Sequence, residues 1–207
     1  MIPAAIIVFR EVLEAAIVIS IVLAATRGVG GRITYVSIGI VAGLLGAAIV
    51  AGFASVIASA VAGIGQELFN SSVLFLAVLM LGWHNVWMGR HGRIMAMEMQ
   101  QVGNAVRSGA SSRAVLVGVI GLAVLREGSE IVLFLYGIAA AEGGGHAVVS
   151  GGLLGLAGGV VLSTVLYFGL LRIPSRWLFG VTSWLILLLA AGMSAQGANF
   201  LVQAGLL

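Results

Sequence analysis

Apolar residues dominate the chain in six long runs, separated by short segments that are rich in glycine or arginine. A transmembrane helix needs about 20 mainly apolar residues, and each run is close to that length or exceeds it. The pattern predicts an all-α fold, a polytopic membrane helical bundle that forms a single transmembrane domain over residues 1–207. We expect residues 196–207 to add no further span. The six predicted spans are approximately Ala4–Ala25, Tyr35–Ala62, Leu68–Trp87, Ala114–Ala141, Ala147–Leu171 and Trp177–Ala195.

The composition agrees with a membrane protein. Hydrophobic residues make up 61% of the chain and charged residues 8%, whereas soluble domains carry roughly 25% charged residues. The chain has no cysteine, which excludes disulfides, zinc fingers and thiolate chemistry. It also has no basic run of the kind that binds nucleic acid. No nucleotide-binding loop or catalytic triad is visible, so we expect no enzymatic activity.

The arginines predict how the chain lies in the membrane. Eight of the ten occupy alternate connections, those that follow the first, third and fifth spans: Arg27, Arg32, Arg90, Arg93, Arg107, Arg113, Arg172 and Arg176. The connections between them contain Glu67, and Glu142 with His146, but no arginine. Because cytoplasmic loops carry an excess of arginine and lysine, we expect a multi-pass protein of the cell membrane with its N-terminus outside.

Two sets of three spans predict an internal repeat. An odd number of spans makes the two halves cross the membrane in opposite directions, an arrangement that many transporters use to build a substrate site near the midplane. We expect the first repeat at about residues 1–89, a cytoplasmic loop at about 90–113 and the second repeat at about 114–195. Small residues four positions apart predict close helix packing: Gly39/Gly43, Ala48/Gly52 and Gly151/Gly155/Gly159.

The two remaining arginines belong to a repeated polar motif inside apolar spans. The first copy is Arg10-Glu11-Val12-Leu13-Glu14, and Arg126-Glu127-Gly128-Ser129-Glu130 follows 116 positions later. In a helix the three charged residues of each copy share one face, because they are three or four positions apart. Ionised side chains at bilayer depth are costly and mark functional sites by default.

If the two motif helices pack together, four carboxylates and two guanidinium groups converge with a formal net charge of −2. Such a charge is tolerable in a membrane interior if water fills the site, if protons bind or if a multivalent cation is held there. Carboxylate oxygens suit hard cations. The motif therefore predicts a cation site at Glu11, Glu14, Glu127 and Glu130, with Arg10 and Arg126 balancing the charge.

With these motifs in its first and fourth spans, the chain resembles the high-affinity iron permeases, the oxidase-dependent iron transporters of fungi and bacteria. The usual family motif is Arg-Glu-Gly-Leu-Glu, and all charged positions match it. The resemblance extends to the end of the third span and into the sixth. The matching residues there are Trp83, His84, Trp87, Arg90, His91 and the run Thr182-Ser183-Trp184-Leu185.

The resemblance implies uptake of iron, preferably ferric iron, into the cytoplasm through the four motif glutamates. It also implies a partner that delivers iron, either a multicopper oxidase or a periplasmic or surface protein. Two features differ from the family. Its members usually have a seventh span, which is not predicted here, and an outer acidic pair before the third span, where this chain has Glu67 near Asn70.

Two residues outside the motifs are candidates for the path of the ion. Glu67 is expected in an outer loop, where it could attract a cation, and His84 is expected near the inner membrane interface, where it could line an exit. Two other functions fit the residues alone: a proton-coupled transporter of another substrate, and a non-transporting structural subunit whose motifs fix helix packing.

Overall fold

The computed structural model describes residues 1–61, 66–142, 145–168 and 175–206. Every regular element in these ranges is an α-helix, which confirms the all-α prediction. The helices are α1 (Ile2–Ala25), α2 (Arg32–Val61), α3 (Gln66–Arg107), α4 (Ala114–Glu142), α5 (Gly145–Tyr167) and α6 (Ser175–Gln203). The connections predicted at 63–67, 142–146 and 172–176 lie wholly or partly outside the described residues.

Four of the helices are long and apolar enough to cross a membrane, in the stretches Arg32–Ile57, Glu67–Met88, Gly145–Tyr167 and Gly180–Gln203. Helices α1 and α4 have 24 and 29 residues and contain the charged motifs. Large apolar side chains cover much of the outer surface of the bundle; Leu79 and Trp83 are 70% and 76% exposed. This surface is typical of an integral membrane protein, because lipid tails are as apolar as the side chains they contact.

Two helices are longer than the apolar runs predicted. Residues 90–107, which we expected in a loop, continue α3 for a total of 42 residues. The segment is rich in Met, Ala, Gln and Arg, which are strong helix formers, and Met95, Met99 and Val106 pack against α1, α2 and α4. Helix α6 similarly continues beyond Ala195 to Gln203, where Phe200 packs on the core. Hydropathy alone misses such extensions, because their polar residues face outwards.

The helix contacts are related by an exchange of the two halves of the chain. Helices α1 and α4 pack on each other, and so do α3 and α6. Helix α2 packs on α4, and α5 packs on α1. If α1, α2 and α3 are exchanged with α4, α5 and α6, the α1–α4 and α3–α6 pairs stay the same. The α2–α4 pair becomes the α5–α1 pair.

Glycines allow the closest of these approaches. A Cβ atom added to Gly43 of α2 would lie 2.7 Å from the carbonyl oxygen of Gly121 in α4, and one on Gly159 of α5 would lie 2.8 Å from Val12 of α1. Gly43 and Gly159 are 116 positions apart, the same separation as the two motifs. The close packing predicted for these glycines is confirmed, whereas nothing lies within 4 Å of a Cβ built on Gly52.

Two apolar clusters occupy the interior on either side of the motifs. One contains Ala4 and Ile7 from the start of α1 together with Phe134 and Ile138 from the end of α4. The other contains residues from the end of α1 and the start of α4, namely Val18, Val22, Leu116 and Ile120. Helices α1 and α4 are therefore antiparallel, and their charged motifs lie between two apolar layers.

Candidate metal centre

The first motif forms a compact ion-paired group on the buried face of α1. Arg10 is 2% exposed, and its two terminal nitrogens reach both glutamates of the motif: Nη2 lies 2.9 Å from Glu14 Oε1, and Nη1 donates a hydrogen bond of 3.3 Å to Glu11 Oε1. Helical spacing places the three residues on one face, and α3 and α4 cover that face. These ion pairs support the charge-balancing role predicted for Arg10, which stays a prediction.

The second motif is paired less completely. Arg126 Nε donates a hydrogen bond of 3.2 Å to Glu130 Oε1, and the ion pairs of the described residues include none between Arg126 and Glu127. The Arg126 side chain is 36% exposed, and its guanidinium carbon lies 4.6 Å from the centre of the Trp87 ring. The two arginines therefore differ, because one is enclosed by carboxylates and the other is shared between a carboxylate and an aromatic face.

His84 of α3 lies between the two motifs. It is 4% exposed; its Nε2 makes a hydrogen bond of 3.1 Å with Glu14 Oε2, and its Nδ1 lies 2.6 Å from Glu130 Oε2. We expected this residue near the inner membrane interface as part of an exit; the structure places its ring between the two motifs, and its depth in the membrane stays a prediction. A polar side chain inside an apolar span is by itself a signal of function, but its direction depends on how α3 packs against α1 and α4.

Four residues bring potential ligand atoms together. Glu11, His84, Glu127 and Glu130 each offer one such atom, and these atoms lie within 4.8 Å of one another. Two carboxylate oxygens of this set, Glu11 Oε2 and Glu127 Oε2, are buried without a hydrogen-bond partner among the described residues, whereas His84 Nδ1 and Glu130 Oε2 face each other at 2.6 Å. Buried polar atoms are normally satisfied, so two such carboxylate oxygens beside the His84–Glu130 pair fit a bound cation. Three carboxylates and an imidazole suit first-row transition metals.

Comparison with known proteins assigns the chain to a family. The whole chain, residues 1–207, matches the iron permease FTR1 family. The chain belongs to this family. The membership confirms the resemblance that the motifs indicated.

Several relatives of the chain carry the name ferrous iron permease EfeU. The protein from Escherichia coli O6:H1 is 35% identical over 205 residues, which cover 97% of this chain and 73% of the relative. The protein from Shigella sonnei is 34% identical over 206 residues, with the same coverage. The protein from Shigella flexneri is 37% identical over 142 residues, or 68% of this chain and 60% of the relative. No solved structure gives a significant match.

Glu67, the other residue predicted for the path of the ion, lies away from the cluster formed by Glu11, His84, Glu127 and Glu130. Glu67 is exposed at the start of α3, and no ion pair to another described residue involves it. About 17 residues separate it from His84, or roughly 25 Å along the helix. The structure therefore does not bring Glu67 to the glutamates, and a role in attracting ions stays a prediction.

A cleft connects the cluster with the side of the bundle. It has a volume of about 440 Å³, and its lining includes the site residues His84, Arg126 and Glu130 together with Met80, Leu79 and Trp83. The apolar layers lie along the helix axes on both sides of the site. Within the described residues, the cluster is thus enclosed at both ends and approached from the α3–α4 side.

Proposed function

We propose that this chain moves iron ions across a membrane and that the ion binds between α1, α3 and α4. The observation that carries this proposal is the group of potential ligand atoms of Glu11, His84, Glu127 and Glu130, which lie within 4.8 Å of one another. Glu11 Oε2 and Glu127 Oε2 in this group are buried without a hydrogen-bond partner among the described residues. Family membership and the names of the relatives support iron as the substrate. Glu14, which the motif also suggested as a ligand, would orient His84 through its hydrogen bond and pair with Arg10.

The ligand set and the names of the relatives support a proposal for the oxidation state of the iron. The resemblance favoured ferric iron, whereas the relatives are named for ferrous iron. Counting His84 as neutral, the four glutamates and two arginines carry a net charge of −2, which a ferrous ion balances. An imidazole ligand also suits a transition metal of intermediate hardness. We therefore propose ferrous iron as the form held at the cluster, with ferric iron as the alternative that a binding assay distinguishes.

The transport mechanism we propose uses the two apolar layers as closures. The antiparallel motif helices and the exchange symmetry of the helix contacts support an inverted repeat of three plus three helices. Rocking of one half against the other would open one apolar layer at a time and expose the ion to one side. Arg10 and Arg126 would limit repulsion among the carboxylates when no ion is bound.

The direction of transport and the partners are part of the same proposal. The distribution of loop arginines supports an N-terminus outside the cell membrane and uptake towards the cytoplasm. Iron would arrive from a multicopper oxidase or from a periplasmic or surface protein, as the family resemblance implied.

Iron binding by the purified chain tests this proposal. Glu127→Gln keeps the shape of the side chain and removes a carboxylate that no arginine pairs with, so we expect iron affinity to fall by about tenfold or more. Glu98→Gln is the matched control, because Glu98 is exposed on α3. Equal iron binding by both variants and the unaltered chain would contradict the proposal. If the chain is a structural subunit, neither the unaltered chain nor the variants will bind iron. If it is a proton-coupled transporter of another substrate, the flux will depend on a pH gradient and will not depend on metal.

A further inference from the structure

A second polar cavity lies at the end of the bundle where α1 is followed by α2 and α3 by α4. It is an open depression of about 840 Å³. Three of its lining residues are exposed arginines, Arg27, Arg107 and Arg113, and none is acidic. The depression is therefore strongly positive. Its lining comes from the α1–α2 connection within the first half of the chain and from the α3–α4 connection between the halves.

The three arginines are free to bind a ligand. None of their guanidinium groups has a hydrogen bond or ion pair within the part of the chain that the structure describes. Arg32, in the same α1–α2 region, differs because its Nη1 donates a hydrogen bond of 3.0 Å to the Leu23 carbonyl oxygen at the end of α1. Arg32 thus stabilises the end of α1, whereas the other three arginines line the depression without a partner among the described residues.

Further groups in the depression favour an anion. Helix α4 begins beside it, so the positive end of the helix dipole adds to the field. Ser111 and Ser112 line it and offer hydroxyl donors, because neither hydroxyl donates a hydrogen bond to another described residue, whereas the Ser108 hydroxyl donates to the Ala105 carbonyl oxygen. Gly28 and Gly109, at φ +88° and +80°, form the tight turns that bring both connections to its edge. Guanidinium groups and hydroxyls arranged in this way match the oxygen atoms of a phosphate group.

We propose that this depression binds a phosphate group, carried either by an anionic lipid headgroup or by a free phosphate ion. Basic pockets between helices at the membrane boundary bind phosphorylated headgroups. The site is separate from the cation cluster, since Val18, Val22, Leu116 and Ile120 lie between the two along α1 and α4. Its charge also repels iron. A bound phosphate holds the end of α1 to the start of α4, and so links the two halves.

Binding by the purified full chain in a neutral detergent tests the site. The probes are short-chain phosphatidylglycerol and inorganic phosphate, with phosphatidylcholine and chloride as references at constant ionic strength. The test variant is Arg107→Gln with Arg113→Gln. The control is Arg90→Gln with Arg93→Gln, which removes the same charge from the same predicted side, roughly 20 Å earlier along α3.

The expected result is binding of at least one phosphate probe that weakens by about tenfold or more in the test variant and stays unchanged in the control. Arg113→Gln alone is a second variant at an exposed position before α4 and is expected to weaken binding by about fivefold. Binding of phosphatidylglycerol alone identifies a lipid site, and binding of both probes identifies a site for phosphate itself. An equal loss of phosphate-probe binding in the two double variants would overturn the proposal, and so would phosphatidylcholine binding as tight as that of phosphatidylglycerol. Both measurements are independent of iron transport.

Discussion

His84 Nε2 lies 3.1 Å from Glu14 Oε2, so the third helix contacts the first motif directly at its buried centre. The other ring nitrogen lies 2.6 Å from Glu130 Oε2 of the second motif. One imidazole therefore bridges two motifs that are 116 positions apart in the sequence. The candidate site comprises two motifs and a histidine.

Replacement of His84 tests this bridge. We expect His84→Asn to lower iron affinity by about tenfold or more, because the variant loses one ligand atom and frees Glu14 and Glu130 from their common partner. His91→Asn is the control, since His91 is exposed and stacks on Trp87. The measurement is iron binding by the two purified variants. Unchanged iron affinity in His84→Asn would show that His84 is not a ligand of the ion.

The two motif arginines are expected to differ in their effect on stability. Arg10→Gln leaves Glu11 and Glu14 buried without their cation, and breaking such a buried pair costs about 3–5 kcal/mol. Arg126→Gln removes a pair that is partly exposed, for which we expect a loss of about 1 kcal/mol or less. Unfolding of both variants in detergent without metal measures the difference.

Added iron supplies the control for this comparison. A bound cation replaces part of the charge that Arg10 provides, so iron should stabilise Arg10→Gln more than it stabilises the unaltered chain. Equal unfolding temperatures for the two arginine variants would show that burial does not distinguish the motifs.

Helix packing at glycines gives a prediction that is independent of metal. Gly43→Leu places side-chain atoms against the α4 backbone at Gly121 and should destabilise the fold by about 1–3 kcal/mol or more. Gly159→Leu should act in the same way at Val12 of α1. Gly52→Leu is the matched control, because the space around Gly52 is open. The yield and the unfolding temperature of the three purified variants check this expectation, and an equally damaging Gly52→Leu would contradict it.

The sequence predicted the all-α fold class from features that are local in the chain, and it raised the packing of the two motif helices as the condition for a shared site, which the α1–α4 contacts meet. Apolar runs indicate helices, and paired charges inside them indicate a shared interior. Two features were not accessible in this way. The extension of α3 to Arg107 depends on contacts of Met95 and Met99 with other helices. The place of His84 depends on the rotation of α3 about its axis, which a single histidine does not reveal.

Membrane orientation can be tested with single cysteines, because the chain has none of its own. His146, in the first turn of α5, and Ser112, in the α3–α4 connection, are exposed at helix ends that we place on opposite sides of the membrane. We expect a membrane-impermeant thiol reagent to label His146→Cys in intact cells and to label Ser112→Cys only after the membrane is permeabilised. The reverse pattern would invert the proposed orientation.

Iron flux into proteoliposomes tests the central claim most directly. The lumen contains an iron chelator, and uptake of labelled ferrous iron is compared among the unaltered chain, Glu11→Gln, Glu127→Gln and the exposed control Glu98→Gln. A buried cation site predicts rapid uptake by the unaltered chain and by Glu98→Gln, with a loss of about tenfold or more in the two cluster variants. Undiminished uptake by Glu11→Gln and Glu127→Gln would contradict it.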